Sequence, residues 1–222
     1  MTNAKTAAPP RKRRGEYAKS EATRAAILDA ALAVFAESGY RAGSLREIAQ
    51  RVGMSEAGLL HHFKNKSELL MAVLDRRDEH AFDITRFNEV DGIERLRGLV
   101  RLAAYNASVP GVVELYCTLS AEATSADHPA HAYFLNRYEW TRREVTRSFD
   151  QIAEEGRLSS ATTPTAAAIA TISLMDGLQV QWLLDRTVVD MADELARYFR
   201  TIVSGFDLES LESFLDGKVP AE

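Results

Sequence analysis

Apolar residues recur along this chain every three or four positions, a spacing that predicts helices joined by short polar turns. Ile27, Ala30, Ala31, Val34 and Phe35 form one stripe that ends at Gly39. Leu45, Ile48, Ala49 and Val52 form a second, with Arg46, Glu47, Gln50 and Arg51 on the wet side. Beyond Leu70 the same period predicts helices over about 67–87, 92–108, 112–123, 130–156, 163–184 and 190–204, punctuated by Pro110, Gly111, Pro129 and Gly156. Alternating patterns bounded by hairpin turns are missing, so the expected fold class is all-α.

The run from Ser44 to Leu70 has the layout of a helix-turn-helix with a third helix behind it. Ser44 with Glu47 three residues on reads as a capping box, and Gly53 followed by Ser55 reads as a stop and a new start separated by a tight turn. In the second helix Leu59 and Phe63 point back at the first. Glu56, Ala57, Gly58, Leu60, His61 and His62 remain as the candidate reading face for a DNA major groove. Asn65 and Glu68 form another capping pair, which puts Lys66 at a helix N-terminus, where a phosphate is favoured. Ser44, Arg46, Ser55 and Lys64 complete the set of residues expected to meet the duplex.

These residues resemble the DNA-binding domain of the TetR family of transcriptional regulators. The resemblance runs from about Thr23 to Leu74 and rests on Phe35, Gly39, Ile48, Ala49, Gly53, Ser55, Leu59, His62, Phe63, Lys66, Leu69 and Leu70. One position departs: the family often carries a tyrosine that touches the DNA backbone where this chain has Leu60. That contact either passes to His61 or His62 or is absent, and Leu60 is free to touch a thymine methyl. The resemblance implies a repressor that dimerises through its last two long helices and releases DNA when a small molecule binds the C-terminal domain. The segment LMDGLQVQWLLD resembles a stretch common in those domains.

Charge agrees once it is divided along the chain. The net charge is −5, but residues 1–70 carry 12 Lys and Arg against 7 Asp and Glu, so the excess of acid lies in the remainder. Residues 1–19 hold Pro9 and Pro10 before Arg11, Lys12, Arg13 and Arg14, and have little to bury. They read either as a solvated tail or as a basic arm that lays Arg11, Arg13 and Arg14 along DNA. The expected domains are this arm, a DNA-binding domain over 20–66, an effector-binding and dimerisation domain over 67–216, and a tail over 217–222.

The single cysteine, Cys117, excludes an internal disulfide and suits a reducing cytoplasm. No stretch reaches the roughly 18 consecutive apolar residues of a membrane span, and no apolar run follows the N-terminal arginines as an export signal requires. A cytoplasmic protein without membrane partners is expected. Neither a metal nor a cofactor is expected. Adjacent His61 and His62 diverge by roughly 100° on a helix, and the His128–His131 pair straddles Pro129 without acidic or thiol companions.

Over 163–184 apolar residues cover the whole circumference, which is more than one small core requires. A second copy of the chain would bury the surplus, with Met175, Leu178, Leu183, Leu195, Phe199 and Ile202 as the expected interface. Two-fold symmetry also suits a near-palindromic operator on double-stranded DNA, with half-sites roughly 34 Å apart. Asp176 and Gln179 read either as core or interface hydrogen-bonding groups or as polar contacts in a ligand pocket. Tyr105, Tyr116, His131, Phe134, Tyr138, Trp140 and Trp182 are the aromatic and amphipathic residues that would surround such a pocket. A structural DNA-binding protein without an effector and a helical enzyme with a DNA-binding appendage are the competing readings. For the enzyme no nucleophile, acid or metal set stands at diagnostic spacing.

Overall fold

The computed structural model describes residues 14–109 and 111–208, with side chains from Lys19 onward. Among these residues the helices are α1 (Arg14–Ala42), α2 (Leu45–Val52), α3 (Glu56–His62), α4 (Lys66–Thr85), α5 (Gly92–Ser108), α6 (Val112–Glu122), α7 (His131–Glu154), α8 (Pro164–Leu184) and α9 (Met191–Ile202). The only strand-like feature described is one antiparallel bridge between Leu158 and Val203, which ties the α7–α8 link to the end of α9. The all-α reading holds. α1 reaches back to Arg14, so Arg14 to Lys19 are helical rather than part of an extended arm. Arg11 and Arg13 lie outside the described residues, and of Arg14 only the backbone is described.

The predicted stops and starts are made of real hydrogen bonds. Ser44, Ser55, Asn65, Thr163 and Asp190 each accept a backbone N–H from the first turn of α2, α3, α4, α8 and α9. The capping box at α2 is only half built. Ser44 Oγ accepts from Glu47 N at 3.1 Å, but the Glu47 carboxylate turns to Arg51 at 2.8 Å, which also holds Glu37 of α1 at 2.6 Å. A charged partner outcompetes a neutral amide for that carboxylate.

Among the described residues two large apolar clusters and a small third one, of Ala81, Ile84 and Leu102, make up the core. The first joins Ile27, Phe35, Ile48, Leu59, Phe63 and Leu70 of α1–α4 to Leu115 and Leu119 of α6 and Phe134 of α7. The second joins Leu96 and Val100 of α5 to Phe149 of α7, Trp182 of α8 and Leu195 and Phe199 of α9. Packing therefore does not divide near residue 66, because α6 lies across α1. Gly39 breaks α1 at φ 72°, where a side chain would also collide with the Glu122 carboxylate. That closeness lets Glu122 Oε2 accept the Tyr40 N–H at 2.8 Å and binds the end of α1 to the end of α6.

α8 differs from its sequence reading in two respects. By length and composition it is the one helix among the described residues that could cross a membrane, although only 33% of its most apolar window is buried. Its inner side packs Ala167, Ala168, Thr171, Leu178 and Trp182 into the body. The expected interface residues Leu178, Leu195 and Phe199 are 5%, 0% and 0% exposed in a single chain, so they are core and unavailable to a partner. Met175, Leu183 and Ile202 are partly buried against the same core.

α4 and α5 cross at Gly98, where a Cβ would stand 2.6 Å from the Thr85 carbonyl oxygen and 3.2 Å from its Cα. Gly98→Ala must push two helix backbones apart, and a loss of about 1–3 kcal/mol in urea unfolding is expected for such overpacking. An unchanged midpoint and slope would show that the crossing is loose.

Candidate DNA-reading head and effector cavity

α3 is a short helix whose apolar anchors face inward and whose other residues face water. Leu59 is fully buried and Phe63 is 1% exposed, whereas Glu56, Ala57 and His61 are exposed and Leu60 is 39% exposed. Gly58 and His62 are half-buried. Arg24 of α1 fixes the end of the helix, donating to the His62 carbonyl at 3.3 Å and stacking 4.2 Å from the Phe63 ring. Ser44 and Arg46 stand exposed on α2, Ser55 caps α3, and Lys64 is exposed beyond it.

Lys66 is less available than its helix-terminal position implied. Its ammonium donates to the Arg41 carbonyl at 3.2 Å and sits 4.5 Å from the centroid of the Tyr40 ring. Burial pulls its pKa below the ordinary lysine value, against the opposing pull of Glu122. Tyr40 meanwhile shares a 2.8 Å hydrogen bond with Ser67 and packs edge-on against His128 at 5.1 Å. The lysine therefore fastens α4 to the end of α1.

In the body a cavity open to solvent lies between α4, α5, α6, α7 and α8. Of the residues expected to surround a pocket, Tyr116, Tyr138, Trp140, Asp176 and Gln179 line it. The others do not. Tyr105 lines a neighbouring cavity under α1, and Trp182 lines an outer cleft beside the α8–α9 link. Phe134 is buried in the head core, and His131 Nδ1 is 2.8 Å from the Ala123 carbonyl. Both residues stand in the first turn of α7, one level above the cavity. His128 is likewise committed, its Nδ1 accepting from Ala130 N at 3.2 Å.

One wall is aromatic: Trp140 meets Phe87 at 4.8 Å and Phe82 at 5.2 Å between centroids. Arg95 supports it from behind. This guanidinium, 2% exposed, lies 4.5 Å from the Phe87 ring, and it donates to the Phe87 carbonyl at 3.0 Å and the Glu144 carbonyl at 2.7 Å. The opposite side is polar. Tyr138 donates to Asp176 Oδ2 at 2.8 Å, and burial raises the pKa of that carboxyl in spite of Tyr138, Arg137 and Arg77. Cys117 lies 3.7 Å from Gln179 Oε1, and burial, with Asp176 and Glu114, pushes its thiol up to about 11. Such a thiol stays protonated and unreactive at neutral pH.

Sequence reading missed Arg77, Arg137, Phe82, Phe87 and Asn106, all of which line the cavity. The arginines left a signal. Arg77 continues the α4 stripe of Leu70, Val73 and Leu74, and Arg137 stands three residues after Phe134, so each is a charge on an apolar face. Phe87 and Phe82 become wall only because the chain turns after Thr85 through Arg86, which takes φ 49°.

A helix-turn-helix head with an exposed second helix, joined through one long helix to a cavity-bearing helical body, defines a one-chain DNA-binding regulator. Residues 27–73 match the model for bacterial regulatory proteins of the TetR family, and residues 93–205 match the C-terminal domain of the BetI-type transcriptional repressors. The chain belongs to the TetR family of transcriptional regulators. It is 24% identical to the regulator TtgR of Pseudomonas putida over 208 residues, covering 89% of this chain and 96% of that one. A solved regulator from Saccharomonospora viridis, in complex with choline, superposes with a TM-score of 0.69 at 22% identity, covering 82% and 98% of the two chains. The complex of SmeT, from Stenotrophomonas maltophilia, with triclosan gives 0.67 at 20% identity, covering 90% and 98%.

The raised pKa of Asp176 has a sign that can be checked. Between the ordinary carboxylate value and the raised native one, the native chain holds a proton that the unfolded chain has lost, so stability falls as pH rises through that window. Asp176→Asn removes this loss and still accepts from Tyr138. The variant should melt higher than the parent at neutral pH, with the difference vanishing below about pH 4. A gain independent of pH would refute the assignment.

Proposed function

We propose that the protein is a homodimeric cytoplasmic repressor that binds a near-palindromic operator through α3 and leaves it when a small molecule fills the body cavity. The observation that carries this reading is α4. Its capped first turn follows α3 after a short link and buries Leu69 and Leu70 in the same core as Leu59 and Phe63, and its later turns supply Arg77, Ala81, Phe82 and Thr85 to the cavity wall. A ligand that fits the cavity better in one setting of α4 than in the other shifts the setting of the head. The choline and triclosan complexes of two fold relatives support a small organic molecule as the effector.

The dimer reading rests on the outer face of α8. Ile169, Val180 and Leu184 are 49%, 50% and 83% exposed there. Ser173 and Gly177 fall between them on the same helix face, so small residues allow a second helix to approach closely. This stripe takes the place of Leu178, Leu195 and Phe199 as the surface for a second copy.

Duplexes selected from a random pool by the purified protein supply the operator for the test. Val180→Asp is expected to yield monomers in light scattering and to lose at least about tenfold in operator affinity, since a dimer engages two half-sites. Arg46→Ala should weaken binding to every duplex and lower the salt slope by about one, whereas Glu56→Ala should change base preference by about 1–3 kcal/mol. A monomeric parent that binds its selected duplex with full affinity would overturn the dimer. Binding unmoved by both head substitutions would overturn the reading face.

A further inference from the structure

Inside the body two buried guanidiniums share one carboxylate. The side chains of Arg77 on α4 and Arg137 on α7 are 7% and 14% exposed. Both pair with Oδ1 of Asp78, Arg77 at 3.1 Å, while the Tyr133 hydroxyl donates to Oδ2 at 2.6 Å. Both also stand over the Tyr116 ring, Arg77 Cζ 4.6 Å and Arg137 Cζ 5.7 Å from its centroid. Two positive charges therefore meet one negative charge where water is scarce, an imbalance that favours any anion able to enter.

The remaining carboxylate of the cavity does not correct the imbalance at contact. Asp176 takes its hydrogen bond from Tyr138 and, among the described residues, forms no ion pair with either arginine. The same cavity is lined by Phe82, Phe87 and Trp140. The cavity therefore offers cationic forks together with a cluster of tilted and edge-on aromatic rings.

We infer that the effector is an organic anion, a carboxylate or acidic phenol on an aromatic or alicyclic body, with its charge on Arg77 and Arg137 and its body on Phe82, Phe87 and Trp140. This rests on the proposed role of the cavity as an effector site and adds the ligand's chemistry and point of attachment. Guanidinium forks match a planar carboxylate with paired hydrogen bonds, which an ammonium ligand would meet as repulsion. The anchor also lies beside the head. Arg76, the residue before Arg77, holds Asp29 of α1 at 2.6 Å and donates to the Ala25 carbonyl at 3.3 Å. An anion pulling on Arg77 pulls on the turn of α4 that grips α1.

Calorimetry on the full chain with biphenyl-4-carboxylate, its primary amide and biphenyl-4-methylamine tests the charge on one skeleton. The acid is expected to bind at least about tenfold tighter than the amide, with the amine weakest. Arg137→Gln should erase the preference for acid over amide. Asp78→Asn should enlarge it several-fold, because the arginines lose their competing anion, and a purely structural role for Asp78 would weaken binding of all three probes alike. If Arg137→Gln melts below the assay temperature, Asp78→Asn and Arg77→Gln decide. Equal or tighter binding of the amide or amine, weaker acid binding by Asp78→Asn, or no binding of the acid by the parent would overturn the inference. Operator affinity measured alongside keeps the two readings apart. An acid that binds without loosening the operator refutes effector release alone, and an amine that binds and loosens it refutes the anion alone.

Discussion

α4 has to belong to two cores at once, and the rest of the molecule is arranged around that demand. Its first turns bury Leu69, Leu70, Val73 and Leu74 among the head helices, while Ala81, Ile84 and Thr85 are buried further along, toward the body. Over 20 residues it spans about 30 Å. Interiors packed to crystal-like density absorb little displacement, so the cavity end of α4 and its head end are mechanically tied. Tyr116 adds a second route, being part of the head core and of the cavity lining at the same time.

Polar networks, half-buried around Tyr40 where the head meets α6 and buried around Arg95 within the body, hold the helices at specific points. At the head joint Tyr40 is gripped through its N–H by Glu122, through its hydroxyl by Ser67 and across its ring by Lys66. In the body Arg95 is held by carbonyls from the α4–α5 turn and from α7 and stands 3.2 Å from Asp91. Burial lowers its pKa by penalising the charged form, which Asp91 and Glu144 offset. Replacing such a network with hydrocarbon need not weaken a protein, but breaking one member leaves a charge without a partner. The penalty for partial disruption favours discrete arrangements over a continuum.

Most of the fold was legible because it follows from period and punctuation. The starts at Ser55, Asn65, Thr163 and Asp190 and the stops near Gly39, Gly53 and Ser108 are local hydrogen-bonding chemistry that the residue types specify. The inward-facing Leu59 and Phe63 and the outward-facing Glu56 and His61 likewise follow from spacing alone. Harder to see was which neighbour an apolar face meets. Leu178, Leu195 and Phe199 read as surplus because α8 and α9 are apolar in sequence, yet α5 and α7 consume that surface and leave Ile169, Val180 and Leu184 outside. Pocket residues were half legible for a similar reason. Tyr138 and Asp176 announce themselves as polar atoms among apolar ones, but whether His131 or Trp140 meets the cavity depends on a level along α7 that periodicity does not specify.

α8 carries two faces with opposed requirements, one toward the cavity and one toward solvent. Met175, Asp176 and Gln179 look into the cavity, while Ser173, Gly177 and Val180 look outward, where a second copy is proposed to sit. A stripe with serine and glycine at its centre would let a partner backbone come close, with few flexible side chains between the two copies. To move a population from about 1:99 to 99:1 a ligand must prefer one setting by about 5.5 kcal/mol. That preference is large for apolar contact with one wall alone, and it is within reach of a ligand whose charge and body engage α4, α7 and α8 together.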